Sequence, residues 1–171
     1  MKNISFRTDV LPLKDILYRL ALRITLNRED AEDIVQETLI KVWDKRDSWS
    51  EIESIEAFSL TICRNLALDH QRRMENRHLS LDETPIERPD SRSLSPAEAM
   101  ISTDRISLVR RLVDSLPEKQ RSCMQLRDFE GKSYREIAQV LGITEDQVKV
   151  NIFRARQTIK QRFNEAEDYG L

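Results

Sequence analysis

"EIAQVLGITEDQVKVNIFRAR", residues 136–156, holds Gly142, one of 3 glycines in a chain of 171 residues. Upstream of it Ile137, Ala138 and Leu141 fall on one side of a short helical period. Downstream Val148, Ile152, Ala155 and Ile159 form a second stripe, at the spacing of a longer amphipathic helix. A glycine between them supplies the positive φ that ends one helix and lets the next begin almost at once. Ser133 with Glu136 three residues on reads as a capping box for the first helix, and Thr144 as the N-cap of the second. A short helix, a glycine turn and a longer helix predict a helix-turn-helix.

The outward side of the second helix carries Asp146, Gln147, Lys149, Val150, Phe153, Arg154, Gln157 and Lys160, with no acid between Asp146 and Glu165. A merely solvated helix has no reason to expose Val150 and Phe153. Apolar contact with a thymine methyl is one such reason, and lysine and arginine can reach guanine edges or phosphates. Helical hairpins that bind only proteins can look similar, so that alternative stays open. Around this motif, Ile106, Val109, Leu112 and Val113 predict a preceding helix that stops at "SLPE", with Ser115 as cap of the next. That next helix turns Cys123, Met124 and Leu126 inward and ends at Gly131.

Composition agrees with an all-α chain: 34% of residues are charged, 6% are aromatic, and the turn chemistry of sheets is missing. A formal net charge of −2 argues against coating nucleic acid by charge alone. Cys63 and Cys123 lack ligand spacing and read as free thiols, so no metal site is expected. No Ser/His/Asp set, Walker loop or paired carboxylates appear, so neither enzymatic chemistry nor a cofactor is expected. No run approaches about 18 apolar residues and the N-terminus has no leader pattern, which predicts a cytoplasmic protein without direct membrane insertion. Pro85, Pro89 and Pro96 fall in an aperiodic Ser/Asp/Glu/Arg-rich stretch that reads as a flexible linker. The expected architecture is two small helical domains, 10–77 and 98–166, joined by a flexible linker over 78–97.

In the N-terminal block, "NREDAEDIVQETLIKVW" (27–43) starts with Asn27 or Asp30 as N-cap and places Ala31, Ile34, Val35, Thr38 and Val42 on a core face. The opposite face carries Asp33, Gln36, Glu37 and Ile40, with Trp43 at its flank. An apolar residue among acids and an amide reads either as a docking surface or as packing on a helix of the same domain. A second helix, from about Ile55 to Met74, has Ile62, Cys63, Leu66, Ala67 and His70 as its expected buried side. Phe58, Thr61, Arg64, Asn65, Leu68 and Arg72 line the other side, as a nucleic-acid contact stripe or as a solvated face. His70 reads as a packed histidine. Trp49, in the polar loop between these helices, either plugs the core or stacks on an arriving group.

The order "AEDIVQETLIKVW", "TICRNLALDHQRR", a linker, then "SLPEKQRSCMQLRDFEGKSYREIAQVLGITEDQVKVNIFRARQTI" resembles the extracytoplasmic-function sigma factors of bacterial RNA polymerase, over about residues 10–163. The resemblance implies that the N-terminal block is sigma region 2. There Asp33, Gln36, Glu37 and Ile40 would dock on core polymerase (β′, with β as a further partner), and Trp49, Thr61, Arg64, Asn65 and Arg72 would serve −10 DNA. It implies that the C-terminal block is region 4, reading the −35 element. Lys149, Val150, Phe153 and Arg154 fall on base-reading positions, and Ser133, Arg135, Thr144 and Gln147 near phosphate contacts; Asn151 and Arg156 belong to the same DNA-binding set. An anti-sigma partner is also implied. The chain departs from the family pattern at Phe58 (usually tryptophan), Ser59 (leucine) and Gln147 (often threonine). The function expected is an alternative sigma factor; a stand-alone helix-turn-helix regulator or a helical interaction adaptor are the other readings.

Overall fold

The computed structural model describes residues 3–81 and 104–168, and every regular element among them is helical. A short arm opens the chain, a π-helical turn Phe6–Val10 followed by a 3-10 turn Leu11–Leu13. Helix α1 (Lys14–Thr25) buries Ile16, Leu17, Leu20, Ala21 and Ile24 on one stripe. It ends on Leu26 in the left-handed region, φ 57°, whose N–H donates to the Leu22 carbonyl at 2.8 Å. Asn27 then caps α2 (Arg28–Asp44), its Oδ1 accepting from the Asp30 amide at 3.0 Å. Of the two expected caps, Asn27 is the one used. Ala31, Ile34, Val35, Thr38 and Val42 are all buried, as the period predicted.

The loop expected after α2 is ordered as a 3-10 turn, Arg46–Glu51, before α3 (Ile55–Leu81). Helix α3 runs past Met74 into the stretch read as linker, whose remainder, 82–97, lies outside the described residues. Its buried line also differs from the expected one. Ala57, Ser59, Leu60, Cys63, Arg64 and Ala67 are buried, whereas Ile62, Leu66 and His70 are only partly covered. The physical reason is that α3 is covered from two directions, by α1 and α2 on one side and by the C-terminal block on the other.

That block comprises α4 (Asp104–Asp114), α5 (Glu118–Met124) with a π-helical turn Gln125–Phe129, α6 (Tyr134–Leu141) and α7 (Glu145–Asp168). Two expectations are corrected here. Ile106 is 52% exposed, not core, because α4 turns Val113 inward instead. Ser115 does not cap α5; Pro117 occupies that position, while the Ser115 hydroxyl donates to the Leu112 carbonyl at 2.7 Å. The turn between α6 and α7 follows the sequence closely. Gly142 has φ +67° and its N–H donates to the Ala138 carbonyl, closing α6.

The two blocks share one core. Cys123, Leu126, Ile137, Val140, Leu141, Val148 and Ile152 belong to the same buried cluster as Leu17, Leu20, Ile24, Leu60, Cys63 and Ala67. Helix α6 lies on α3, and α5 on α1. Burying each such aliphatic side chain contributes about 1.5–3 kcal/mol, so this contact is a folded interface.

Candidate nucleic-acid interface

The recognition helix is set by its start. The Gln147 amide N–H donates to the Thr144 hydroxyl at 3.1 Å, and the Thr144 amide N–H donates to Gln147 Oε1 at 2.9 Å. This reciprocal box satisfies two helix-terminal donors at once and fixes where α7 leaves the turn. Ser133 caps α6 through Glu136, whose amide donates to the serine hydroxyl at 3.1 Å. With α6 and α7 thus held, Val148, Ile152 and Ala155 point inward, and Lys149, Val150, Phe153 and Arg154 point outward. Val150 is 44% and Phe153 61% exposed, so the apolar pair flagged in the sequence does lie on the surface among cations.

The cations nearby are held in place. The Lys149 ammonium sits 5.7 Å from the Tyr134 ring centroid and the Arg127 guanidinium 4.5 Å from it. Arg156 pairs with Asp128, its Nε donating to Oδ2 at 3.2 Å, and this bond raises the arginine's pKa above the ordinary value. Asn151 donates to the Gln147 carbonyl at 2.7 Å. Arg135 is exposed and reaches Glu53 of the N-terminal block at 3.5 Å.

On α2, Asp33, Gln36, Glu37 and Ile40 are all exposed; Ile40 is 60% and Trp43 44% accessible. Packing within the same domain therefore does not account for Ile40. Trp49 takes the opposite role. It is 7% exposed, and its indole N–H donates to the Val42 carbonyl at 3.0 Å. Of its two expected roles, this is the core plug.

The stripe on α3 is divided. Asn65 and Arg72 are exposed, Arg72 pairing with Asp69. The Thr61 hydroxyl donates to the Ala57 carbonyl at 2.8 Å. Arg64 is only 6% exposed, and its Nε and Nη2 both donate to the carboxylate of Glu118 of α5. Of the departures from the family pattern, Ser59 is buried and its hydroxyl donates to the Ile55 carbonyl at 2.7 Å, while Phe58 packs against the Trp49 cluster.

Sequence reasoning missed the charged seam between the blocks. Arg23 donates to Asp114 at 3.0 Å and to Gln125 at 2.8 Å; Arg19 donates to Glu130 at 2.9 Å; Lys132 pairs with Glu56. The bond to Glu130 raises the Arg19 pKa, whereas burial lowers that of neighbouring Arg121. Arg19 and Arg23 are four residues apart on one face of α1, which is a signal, but such a pair reads equally well as a solvated face.

Comparison with known proteins identifies the two blocks. The family described as Sigma-70 region 2 matches residues 10–77, and that described as Sigma-70, region 4 matches 106–159. The ECF RNA polymerase sigma factor SigE of Mycolicibacterium smegmatis is 34% identical over 151 residues, 85% of this chain and 56% of that protein. The chain thus spans little more than half of that relative's length. The ECF RNA polymerase sigma-E factor of Salmonella typhimurium is 31% identical over 140 residues, 78% of this chain and 73% of the relative. Among solved structures, the sigma factor RpoE in complex with the anti-sigma factor NepR, from Bartonella quintana, superposes with a TM-score of 0.77 at 28% identity, covering 94% of this chain and 96% of that one. CnrH in complex with the cytosolic domain of CnrY shares the fold, with a TM-score of 0.67 at 21% identity over 94% of this chain and 88% of the other. With both regions matched, and with relatives above 30% identity covered over most of their length, the chain belongs to the extracytoplasmic-function sigma factors of the sigma-70 family, which are non-enzymatic transcription initiation factors.

Proposed function

We propose that this chain acts in the cytoplasm as an alternative sigma factor that joins core RNA polymerase and directs it to promoters with a −10 and a −35 element. The observation that carries this reading is a pair of exposed apolar-in-polar surfaces on separate helices. One is Ile40 with Asp33, Gln36 and Glu37 on α2, suited to docking on polymerase. The other is Val150 and Phe153 with Lys149 and Arg154 on α7, suited to a major groove. The net charge of −2 fits a factor that relies on polymerase for most of its phosphate neutralisation.

The −10 role falls to α3 and the turn before it. Strand opening extrudes bases at a cost of a few kcal/mol each, which a preformed protein surface offsets. Arg64 and Asn65 are the side chains suited to that strand, and Arg64 reaches it only after leaving Glu118. The closed arrangement is therefore the resting form, and spreading of the two blocks accompanies promoter binding. An anti-sigma protein that stabilises the closed form is the matching regulator; the similar RpoE was solved in complex with the anti-sigma factor NepR. Transcription reconstituted with core polymerase on a promoter library tests the proposal: enrichment of two spaced elements is expected, and absence of stimulated initiation rules it out.

A further inference from the structure

The family match begins at residue 10, yet the residues before it are not a loose end. The Ser5 amide donates to the Asp9 carboxylate at 2.7 Å and the Asp9 amide to the Ser5 carbonyl at 2.8 Å, which closes the arm into one helical turn. That turn delivers Phe6 to Trp43 at the end of α2 and to Trp49 in the −10 turn. Its ring meets Trp43 edge-on at 5.3 Å and 76°, and stacks on Trp49 at 6.5 Å and 8°. Trp43 and Trp49 are themselves edge-to-face at 6.2 Å. Val10, fully buried, and the partly buried Ile4 complete a cluster with Val42, Ile52, Ile55 and Phe58.

The geometry matters because the turn Arg46–Glu51 has few other anchors. Its own bonds are local, Ser48 N–H to the Lys45 carbonyl and Ile52 N–H to the Trp49 carbonyl. Beyond them it is held through Trp43, to whose carbonyl Arg46 donates at 3.2 Å with its guanidinium 4.6 Å from the ring centroid, and through the Trp49 indole, bonded at one edge to Val42 and stacked on Phe6. A short 3-10 turn with poor internal bonding takes its shape from such packing. We infer that the N-terminal arm is a strut for the −10 turn and that Phe6 is a positioning residue for promoter opening, acting through Trp49 and Trp43 and not by touching DNA. This rests on the assignment of the turn to the −10 element made above.

The test compares duplex and pre-opened promoters. In the full chain with core polymerase, Phe6→Ala lowers open-complex formation on duplex DNA about tenfold. The same variant initiates normally on a template already unpaired across the −10 element, and its affinity for core polymerase is unchanged. Phe6→Tyr, which keeps the ring, restores duplex activity. Phe6→Leu, which keeps apolar volume without the stack, carries the same expectation should the alanine variant unfold. Full duplex activity in the alanine and leucine variants overturns the inference while leaving the −10 assignment intact. So does an equal loss on both templates with weakened core binding, since that is a general loss of fold. A wild-type chain whose initiation ignores the −10 sequence overturns both.

Discussion

Arg64 and Glu118 join the two blocks in a bidentate pair, Nε to Oε1 and Nη2 to Oε2, each at 2.9 Å. The Arg64 side chain is 7% and that of Glu118 21% accessible, so water screens little of the attraction. Ser122 adds a hydroxyl donor to the same carboxylate at 2.8 Å. The side chain proposed above for the −10 strand is thus committed to the C-terminal block in this arrangement.

Removing one partner of such a pair leaves the other charge half-desolvated, at a cost of about 1–3 kcal/mol. Glu118→Ala is therefore expected to shift the closed-to-open ratio by a factor of about 5–150. Fluorescence transfer between labels on the two blocks reads this directly. An unchanged transfer efficiency would show that the apolar contact alone holds the blocks together.

The thiols report the same opening. Burial pushes both Cys63 and Cys123 up to about 12 from 9.0. For an acid whose pKa is raised on folding, stability is full below the unfolded value and declines as pH rises from about 9 toward about 12. At pH 8 both thiols are protonated and covered, so alkylation should be slow. Cys123 lies beside Arg64 and Glu118 and should label faster in Glu118→Ala or on adding core polymerase, while Cys63, bonded to the Leu17 carbonyl inside the N-terminal block, should not. Equal acceleration at both sites, read by mass spectrometry, would indicate unfolding and not opening.

Asp33 and Gln36 are exposed and outside the core, so Asp33→Ala with Gln36→Ala should leave the melting temperature alone. Core-polymerase affinity should fall by tenfold or more if these residues sit at the centre of a docking surface. Unaltered affinity would remove that face from the account.

Gln147 distinguishes capping from DNA contact. Because its side chain accepts from Thr144, Gln147→Ala should cost about 0.5–2 kcal/mol of stability in the C-terminal block. Gln147→Glu retains the acceptor and should retain stability. If the alanine variant melts normally but binds −35 DNA poorly, the residue is a phosphate contact and not a cap.

Much of this was legible in the sequence because it is local. The Asn27 cap, the Ser133 box, the αL glycine at 142 and the α2 core stripe each depend on residues within a few positions of one another. Exposure of Val150 and Phe153 followed from the same periodicity, whereas Ile40 had two readings that only the packing of α2 decided. What was illegible is what arises between blocks. Arg64 looked outward on a helical wheel, and only the arrival of α5 buries it. Ile62 and Leu66 looked central, yet a helix covered from two sides shifts its buried line toward Arg64 and Ser59. Trp49 had two readings from its loop, and the choice depended on a carbonyl at the end of α2.

Promoter selection is read most directly from initiation by the chain with core polymerase on a promoter library, with wild type and Arg154→Ala side by side. Wild-type initiation should require both a −10 and a −35 element, and the variant should relax preference at one −35 base pair with a loss of roughly 1–3 kcal/mol. Tight, palindrome-specific DNA binding without polymerase, and no stimulation of initiation, would contradict this expectation.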